Sequence, residues 1–439
     1  MAWLMAAAFF VVFDATAYAH GRPAAFQALA FDPGDPNHIV AQSTWGMAFS
    51  TDGGASWTWT CAAAYGVDAR TEDPSVAFAD GALVLGSFGG ILESTDGTGC
   101  SWSEVPGPIQ DAFGIDVEPD GQGGLLLIGT DGFAPDRLWR REGGDWAPHS
   151  EEIENVLLER LRVAPSNPAV VYVTGALPRR AEQERALFSF RSSDGGRTFS
   201  RAEVSLRGEE YAILAAAIAP DDPDVFWTLV LNFDGETAPE RILRSTDGGR
   251  SFQTRFALPQ VGGVVVRGDG QVVFAGSKLG GLWRSDNAGV SWRKIQDVAV
   301  RCLVEHNDEL WICTDQSLDG VALVRTREGE TLEPIVSLPE IVTLQPCPRC
   351  SEVGITCPAW TPDVSFDLGW DLEALGLDPP ELEPDGGVGL PREVRLPEEC
   401  GGEPEPASDG CGCGTTAAPD AAWLAGLLLL RRRSGKDRR

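Results

Sequence analysis

An eight-residue phrase that recurs along this chain constrains its fold more than any other feature. It reads S-T-D-G-G-A-S-W from Ser50 to Trp57, S-S-D-G-G-R-T-F from Ser192 to Phe199, and S-T-D-G-G-R-S-F from Ser245 to Phe252. A copy one residue longer, S-T-D-G-T-G-C-S-W, runs from Ser94 to Trp102. S-D-N-A-G-V-S-W runs from Ser285 to Trp292, with Asn287 in the Asp position. Repetition of this kind means that one supersecondary unit is copied. The residue types suit a tight turn between two strands. Asp52, Asp96, Asp194, Asp247 and Asn287 can accept backbone N–H groups of their own turn, as Asx-turns do. Ser50, Ser94, Ser192, Ser245 and Ser285 can add a similar bond, and Gly54, Gly196, Gly249 and Gly289 allow positive φ. Trp57, Trp102, Phe199, Phe252 and Trp292 open the next strand and can bury their rings against a neighbouring unit. These are structural tasks rather than catalytic ones.

The pattern S-x-D-x-G-x-x-W/F resembles the Asp-box (BNR) repeat of β-propellers, which implies an all-β fold of four-stranded blades. The text upstream of the phrase also repeats: A-F-D-P-G-D-P-N-H-I-V-A from Ala30 is matched by V-A-P-S-N-P-A-V-V-Y-V from Val163 and I-A-P-D-D-P-D-V-F-W from Ile218. Strand, Asp/Pro turn, strand, loop, strand, Asp turn, strand is the resulting reading of one blade. Two gaps contain weakened copies, L-W-R-R-E-G-G-D-W from Leu138 and L-V-R-T-R-E-G-E-T-L from Leu323. Centred at Asp52, Asp96, Glu142, Asp194, Asp247, Asn287 and Glu328, the copies recur every 40 to 53 residues. That is the pitch of four-stranded blades, and it gives a single propeller of seven. Six blades follow if a weakened copy is false, and eight if Ile341 to Gln345 begins another.

The propeller is expected over residues 20–338. Residues 1–19 read as a secretory signal, an apolar run from Ala2 to Phe13 ending at Ala17-Tyr18-Ala19. Residues 339–400 read as a small Cys-rich segment followed by a disordered acidic, Pro/Gly-rich stalk. Residues 401–416 form a linker carrying Cys411-Gly-Cys413, and 417–439 a short hydrophobic helix from Ala421 to Leu430 with Arg431, Arg432 and Arg433 behind it. This ending resembles the C-terminal sorting signal of myxobacterial surface proteins. The resemblance implies processing of the tail, display at the cell surface or outer membrane, and an anchor at the Cys411/Cys413 region.

Ten cysteines suit an oxidising compartment. A two-residue turn at Asn307-Asp308 would set Cys302 opposite Cys313 across a hairpin. Cys61 and Cys100 could bridge neighbouring blades, while Cys347, Cys350, Cys357 and Cys400 form a separate disulfide cluster. Zinc at C-P-R-C is the weaker alternative, because no His lies nearby. No cofactor or metal motif stands out.

The net charge of −30 and pI near 4.4 argue against a nucleic-acid partner, since phosphate binding needs basic patches. Asp-box propellers include sialidases, other glycosidases, peptide receptors and assembly factors, so fold alone does not choose among them. The sialidase resemblance implies a Tyr nucleophile with a Glu partner, three Arg and an Asp. Glu210-Tyr211 is the one local arrangement that could supply the pair, and the F/Y-R-I-P signature is missing. The reading is therefore an exported, surface-anchored binding module for a protein, peptide or glycan. A glycoside hydrolase is the alternative.

Overall fold

The computed structural model describes residues 22–68, 71–106, 109, 112–130, 136–177, 184–233, 238–376 and 400. These residues form seven antiparallel sheets, each taking its four strands in sequence order. The blades span 26–61, 75–104, 113–148, 157–204, 210–258, 261–296 and 302–336. The first strands of successive blades lie side by side, and that of blade 7 (Cys302–His306) packs on that of blade 1 (Phe26–Asp32), closing the ring. The protein is a seven-bladed β-propeller. Both weakened copies of the phrase join third to fourth strands, in blade 3 (Arg137–Glu142 to Asp145–Pro148) and blade 7 (Leu323–Thr326 to Glu333–Val336).

Burial follows strand position. The second strand of blade 2, Ala82–Ser87, is buried at every residue because neighbouring sheets cover both its faces. Its sequence, ALVLGS, accordingly shows apolar continuity rather than alternation. Outer fourth strands are more exposed, as in Ser103–Glu104 and Asp145–Pro148, except Thr58–Cys61 of blade 1, which is covered. Sheets stack through aromatic contacts such as Tyr172 of blade 4 on Phe226 of blade 5, with ring centroids 4.0 Å apart. Near the axis, blades 2 and 3 approach at Gly86 and Gly114, where a Cβ on Gly114 would lie 2.5 Å from the Gly86 Cα. Only glycine permits that separation.

An antiparallel meander puts the loops after first and third strands on one face of the wheel, and those after second and fourth strands on the other. The repeated Asp turns therefore share one face, called here the turn face. The opposite face is the loop face.

The chain beyond blade 7 departs from the sequence-based expectation. Ile341 to Gln345 starts no eighth blade; Thr343–Leu344 instead adds a fifth, parallel strand to the outer edge of blade 1, pairing with Thr58 and Trp59. Cys357 is bonded to Cys61 in blade 1, and Cys347 to Cys100 in the turn of blade 2. The C-terminal cysteines are thus not a separate cluster, nor do Cys61 and Cys100 bridge one blade to the next. Sequence spacing cannot supply this connectivity. Cys302 is bonded to Cys313 across its hairpin, and Cys350 and Cys400 are also disulfide-bonded, which leaves no thiolate of C-P-R-C for zinc.

Residues 351–376 fold into short helices, α2 (Glu352–Thr356), α3 (Thr361–Leu368) and α4 (Leu372–Leu375), after α1 (Gln316–Asp319) in blade 7. Val353, Val364, Leu368 and Trp370 are buried in the same apolar cluster as Trp59 of blade 1. The acidic stretch read as stalk after the Cys-rich segment is accordingly ordered at its start. Asp363 is buried, and Asp371 caps α4 by accepting the Ala374 N–H at 3.0 Å. The expected signal (1–19), the rest of the stalk (377–399), the Cys411/Cys413 motif and the tail helix lie outside the described residues. Among the described residues, no helix is long and apolar enough to cross a membrane.

Candidate functional site

The repeated turns are closed by their own side chains. In blade 1, Asp52 Oδ1 accepts from Ser50 Oγ and the Ser56 N–H, both at 2.9 Å, and Asp52 Oδ2 accepts from Ser56 Oγ at 2.6 Å. Asp194 and Asp247 repeat these contacts with Thr198 and Ser251. Asn287 keeps them too, its Nδ2 donating to Ser291 Oγ at 2.9 Å. Asp96 does the same work through Ser94 and Thr98, the latter two residues on rather than four. Partial burial raises the Asp247 carboxyl, but the hydrogen bonds from Ser251, Ser245 and the Arg250 N–H outweigh it and leave it at about 2. Each turn also meets the preceding blade: Gly196 faces Leu138, Gly249 faces Tyr172, and Gly289 faces Trp227. The indoles of Trp57, Trp102 and Trp292 donate to the carbonyls of Gly54, Gly99 and Gly289 at 2.9–3.0 Å. Phe199 and Phe252 pack against buried apolar clusters instead. The repeated Ser and Asp/Asn side chains of the phrase are thus bonded within their own turns.

Glu210 and Tyr211 are not brought together as a pair. Glu210 is buried against Arg241, with contacts of 2.5 and 2.7 Å, and it also accepts the Arg207 N–H at 2.7 Å. Tyr211, its strand neighbour, stacks on Phe233 with ring centroids 4.4 Å apart. The register shifts between Glu210 and Ala212, and the two side chains take separate partners, so adjacency in sequence gave no common site here.

The axial channel holds a second ionic group that the sequence reading did not single out. On the first strands of blades 3 and 4, Arg162 bonds Glu118 and lies 3.4 Å from Asp116, whose other contact is the Leu161 N–H at 2.9 Å. Burial pushes Glu118 up to about 7 against the pull of the Arg162 guanidinium. Burial likewise lowers the neighbouring Arg160. On the turn face, a recess of about 30 Å³ between blades 3 and 4 is lined by Asp120, Arg140, His149 and Arg197. It has room for roughly one water.

The loop face is of another kind. Phe88, Leu157, Phe233, Leu279 and Leu318 are 44–68 % exposed. They come from blades 2, 4, 5, 6 and 7, and each lies in or beside a loop of this face. The fold places two of them by one device. In blade 2, Ser87 at the end of the second strand accepts the Gly89 N–H at 3.0 Å and donates to the Gly90 carbonyl at 3.2 Å, leaving Phe88 at the tip. In blade 6, Ser277 accepts the Gly280 N–H at 2.8 Å and leaves Leu279 at the tip. Glu72 holds the first tip by accepting the Phe88 N–H at 2.9 Å. In blade 1 the equivalent Trp45 is buried, its carbonyl accepting the Ala62 N–H. The sequence signal for these tips was legible but unread: G-S-F-G-G at Gly86 and G-S-K-L-G-G at Gly276, each just ahead of an Asp turn. Phe233 is further steadied by Arg185, whose guanidinium lies 4.7 Å from the ring centroid and donates to the Glu210 carbonyl at 2.7 Å.

No protein-family model matches the chain, and no curated protein matches it. Solved structures do. YCF48 from Cyanidioschyzon merolae aligns with a TM-score of 0.48 at 16 % identity, covering 69 % of this chain and 95 % of that one. A YCF48 bound to D1 peptide aligns at 0.47 and 17 % identity, covering 69 % and 93 %. A GH74 enzyme from Niastella koreensis aligns at 0.30 and 13 % identity, covering 72 % of each chain. At these identities the likeness is one of fold and assigns no activity.

Proposed function

We propose that this protein is an exported, surface-anchored Asp-box propeller that binds a protein or peptide through its loop face. The observation that supports the reading is the collection of five exposed large apolar side chains, one from each of five blades, on that face. Scattered exposed apolar residues are ordinary, but their gathering on one face marks an interaction surface. The turn face serves construction, because its repeated polar residues are consumed by their own turns. Glycoside hydrolysis would need two free carboxylates across a cleft, and Glu210 is held by Arg241.

A photo-crosslinking residue at position 88 in the full chain, on its native cell surface, should capture a discrete partner. The same residue at position 290, also exposed but on the turn face, should not. Equal capture from both positions, or none from position 88, overturns the reading. Turnover of sialosides or β-glucosides by the wild-type chain that Glu210→Gln abolishes would replace it with the hydrolase. For display, Cys411→Ala with Cys413→Ala should shift the protein from the surface fraction to the medium; an unchanged location removes the anchor.

A further inference from the structure

We infer that the loop face docks a cationic, amphipathic segment of a partner protein. This rests on the binding reading above and names the partner's chemistry. The apolar contribution comes from Phe88, Leu157, Phe233, Leu279 and Leu318, whose burial would drive association. Phe233, held between Tyr211 and Arg185, is already ordered, so it presents its ring at little entropic cost. The charge between these anchors has one dominant sign. Among the described residues, Asp68, Glu154, Glu184 and Glu209 are exposed in the loops of this face, whereas Arg207 is the one exposed cation in those loops. Arg22 with Asp73 at 2.7 Å, Lys294 with Asp297, and Arg301 with Asp315 at 2.6 Å pair off and leave this balance unchanged. Carboxylates set among apolar anchors attract Lys and Arg and repel acidic partners. The same carboxylates disfavour an anionic membrane surface. The fitting occupant therefore alternates large apolar and basic residues.

The test uses the full chain and three synthetic peptides, alternating Leu with Lys, Leu with Glu, and Ser with Lys. The Leu/Lys peptide should bind, the Ser/Lys peptide at least about tenfold more weakly, and the Leu/Glu peptide not at all. Phe88→Ser with Leu279→Ser should weaken Leu/Lys binding at least about tenfold. Glu154→Lys with Glu209→Lys should weaken it about tenfold. Glu142→Lys with Glu330→Lys makes the same charge change on the turn face and should leave binding unaltered. Circular dichroism checks that each variant stays folded. Equal loss from the Glu142/Glu330 variant shows diffuse attraction to an acidic protein and overturns the site. Tight binding of Leu/Glu that Phe88→Ser with Leu279→Ser abolishes overturns the cationic preference but leaves the docking face. No binding of Leu/Lys, or binding indifferent to that apolar variant, overturns the inference. Self-association abolished by the same variant gives the face to a second copy and also overturns it.

Discussion

Cys61 and Cys357 are joined by a disulfide across 296 residues of sequence, their Cα atoms 5.4 Å apart. One sits at the end of the outer strand of blade 1, the other at the start of a helical turn beyond blade 7. Together with Cys100–Cys347 and the parallel pairing of Thr343–Leu344, this bond ties the segment after the last blade to the first two blades. Ring closure in this propeller therefore does not rest on packing of blade 7 against blade 1 alone.

Removing that bond should cost stability. Cys61→Ser with Cys357→Ser frees a loop of nearly 300 residues in the unfolded chain, and losses of about 2–5 kcal/mol are usual for a native disulfide. Urea denaturation should show the lower midpoint, and limited proteolysis should first open residues 341–375. An unchanged midpoint would mean that packing of Val353, Val364 and Trp370 suffices.

The Asp turns make a graded prediction, because the chain already contains its own amide variant. Asn287 preserves the Ser285, Ser291 N–H and Ser291 Oγ contacts. Asp194→Asn should therefore destabilise only slightly, while Asp194→Ala, which deletes the acceptor, should cost about 1–2 kcal/mol. Thermal denaturation of both variants decides. Equal losses would show that charge, rather than the turn's hydrogen bonds, carries the effect.

Glu118 should make stability depend on pH. Its folded value is about 7 and the ordinary one 4.5, so the folded state holds the proton more tightly. The stability this confers is complete below about pH 4.5 and is lost as pH rises through about 7. Glu118→Gln removes the titrating group while Asp116 stays near Arg162. Wild type should lose about 2.5 kcal/mol relative to this variant between pH 5 and pH 8, or roughly 2–4 °C of melting temperature in a domain of this size. Parallel profiles would refute a raised Glu118.

Arg241 and Glu210 form a buried ion pair with side chains 9 % and 5 % exposed. Arg241→Ala strands a buried carboxylate and should cost about 3–5 kcal/mol. Replacing both residues with Met should cost much less than Arg241→Ala alone, since no uncompensated charge remains. A double-mutant cycle in guanidinium measures this. If the double variant is no better than Arg241→Ala, Glu210 has an energetic role beyond its partner.

Much of the wheel could be read without coordinates. Seven repeats, their four-strand pitch, the turn residues and the Cys302–Cys313 hairpin are all local, because each depends on residues within one blade. Hydrogen bonds such as Ser50 to Asp52 close over two residues, and a motif that short leaves its print in the sequence. The candidate site was less legible. Glu210 and Tyr211 looked like a pair because they are adjacent, yet one is held by Arg241 and the other stacks on Phe233. Phe88 and Leu279 attracted no notice as single apolar residues; what matters is that different blades bring them to one face.

The sequence by itself determined the repeating unit, its pitch and the turns that close it, since these arise from local backbone geometry and from periodic burial. Tertiary structure alone decided that Cys357 meets Cys61, that residues 351–376 fold onto blade 1, and that five apolar tips share a face. Those relationships join residues tens to hundreds of positions apart. They exist only once the blades have closed around the axis, which no local pattern of side chains records.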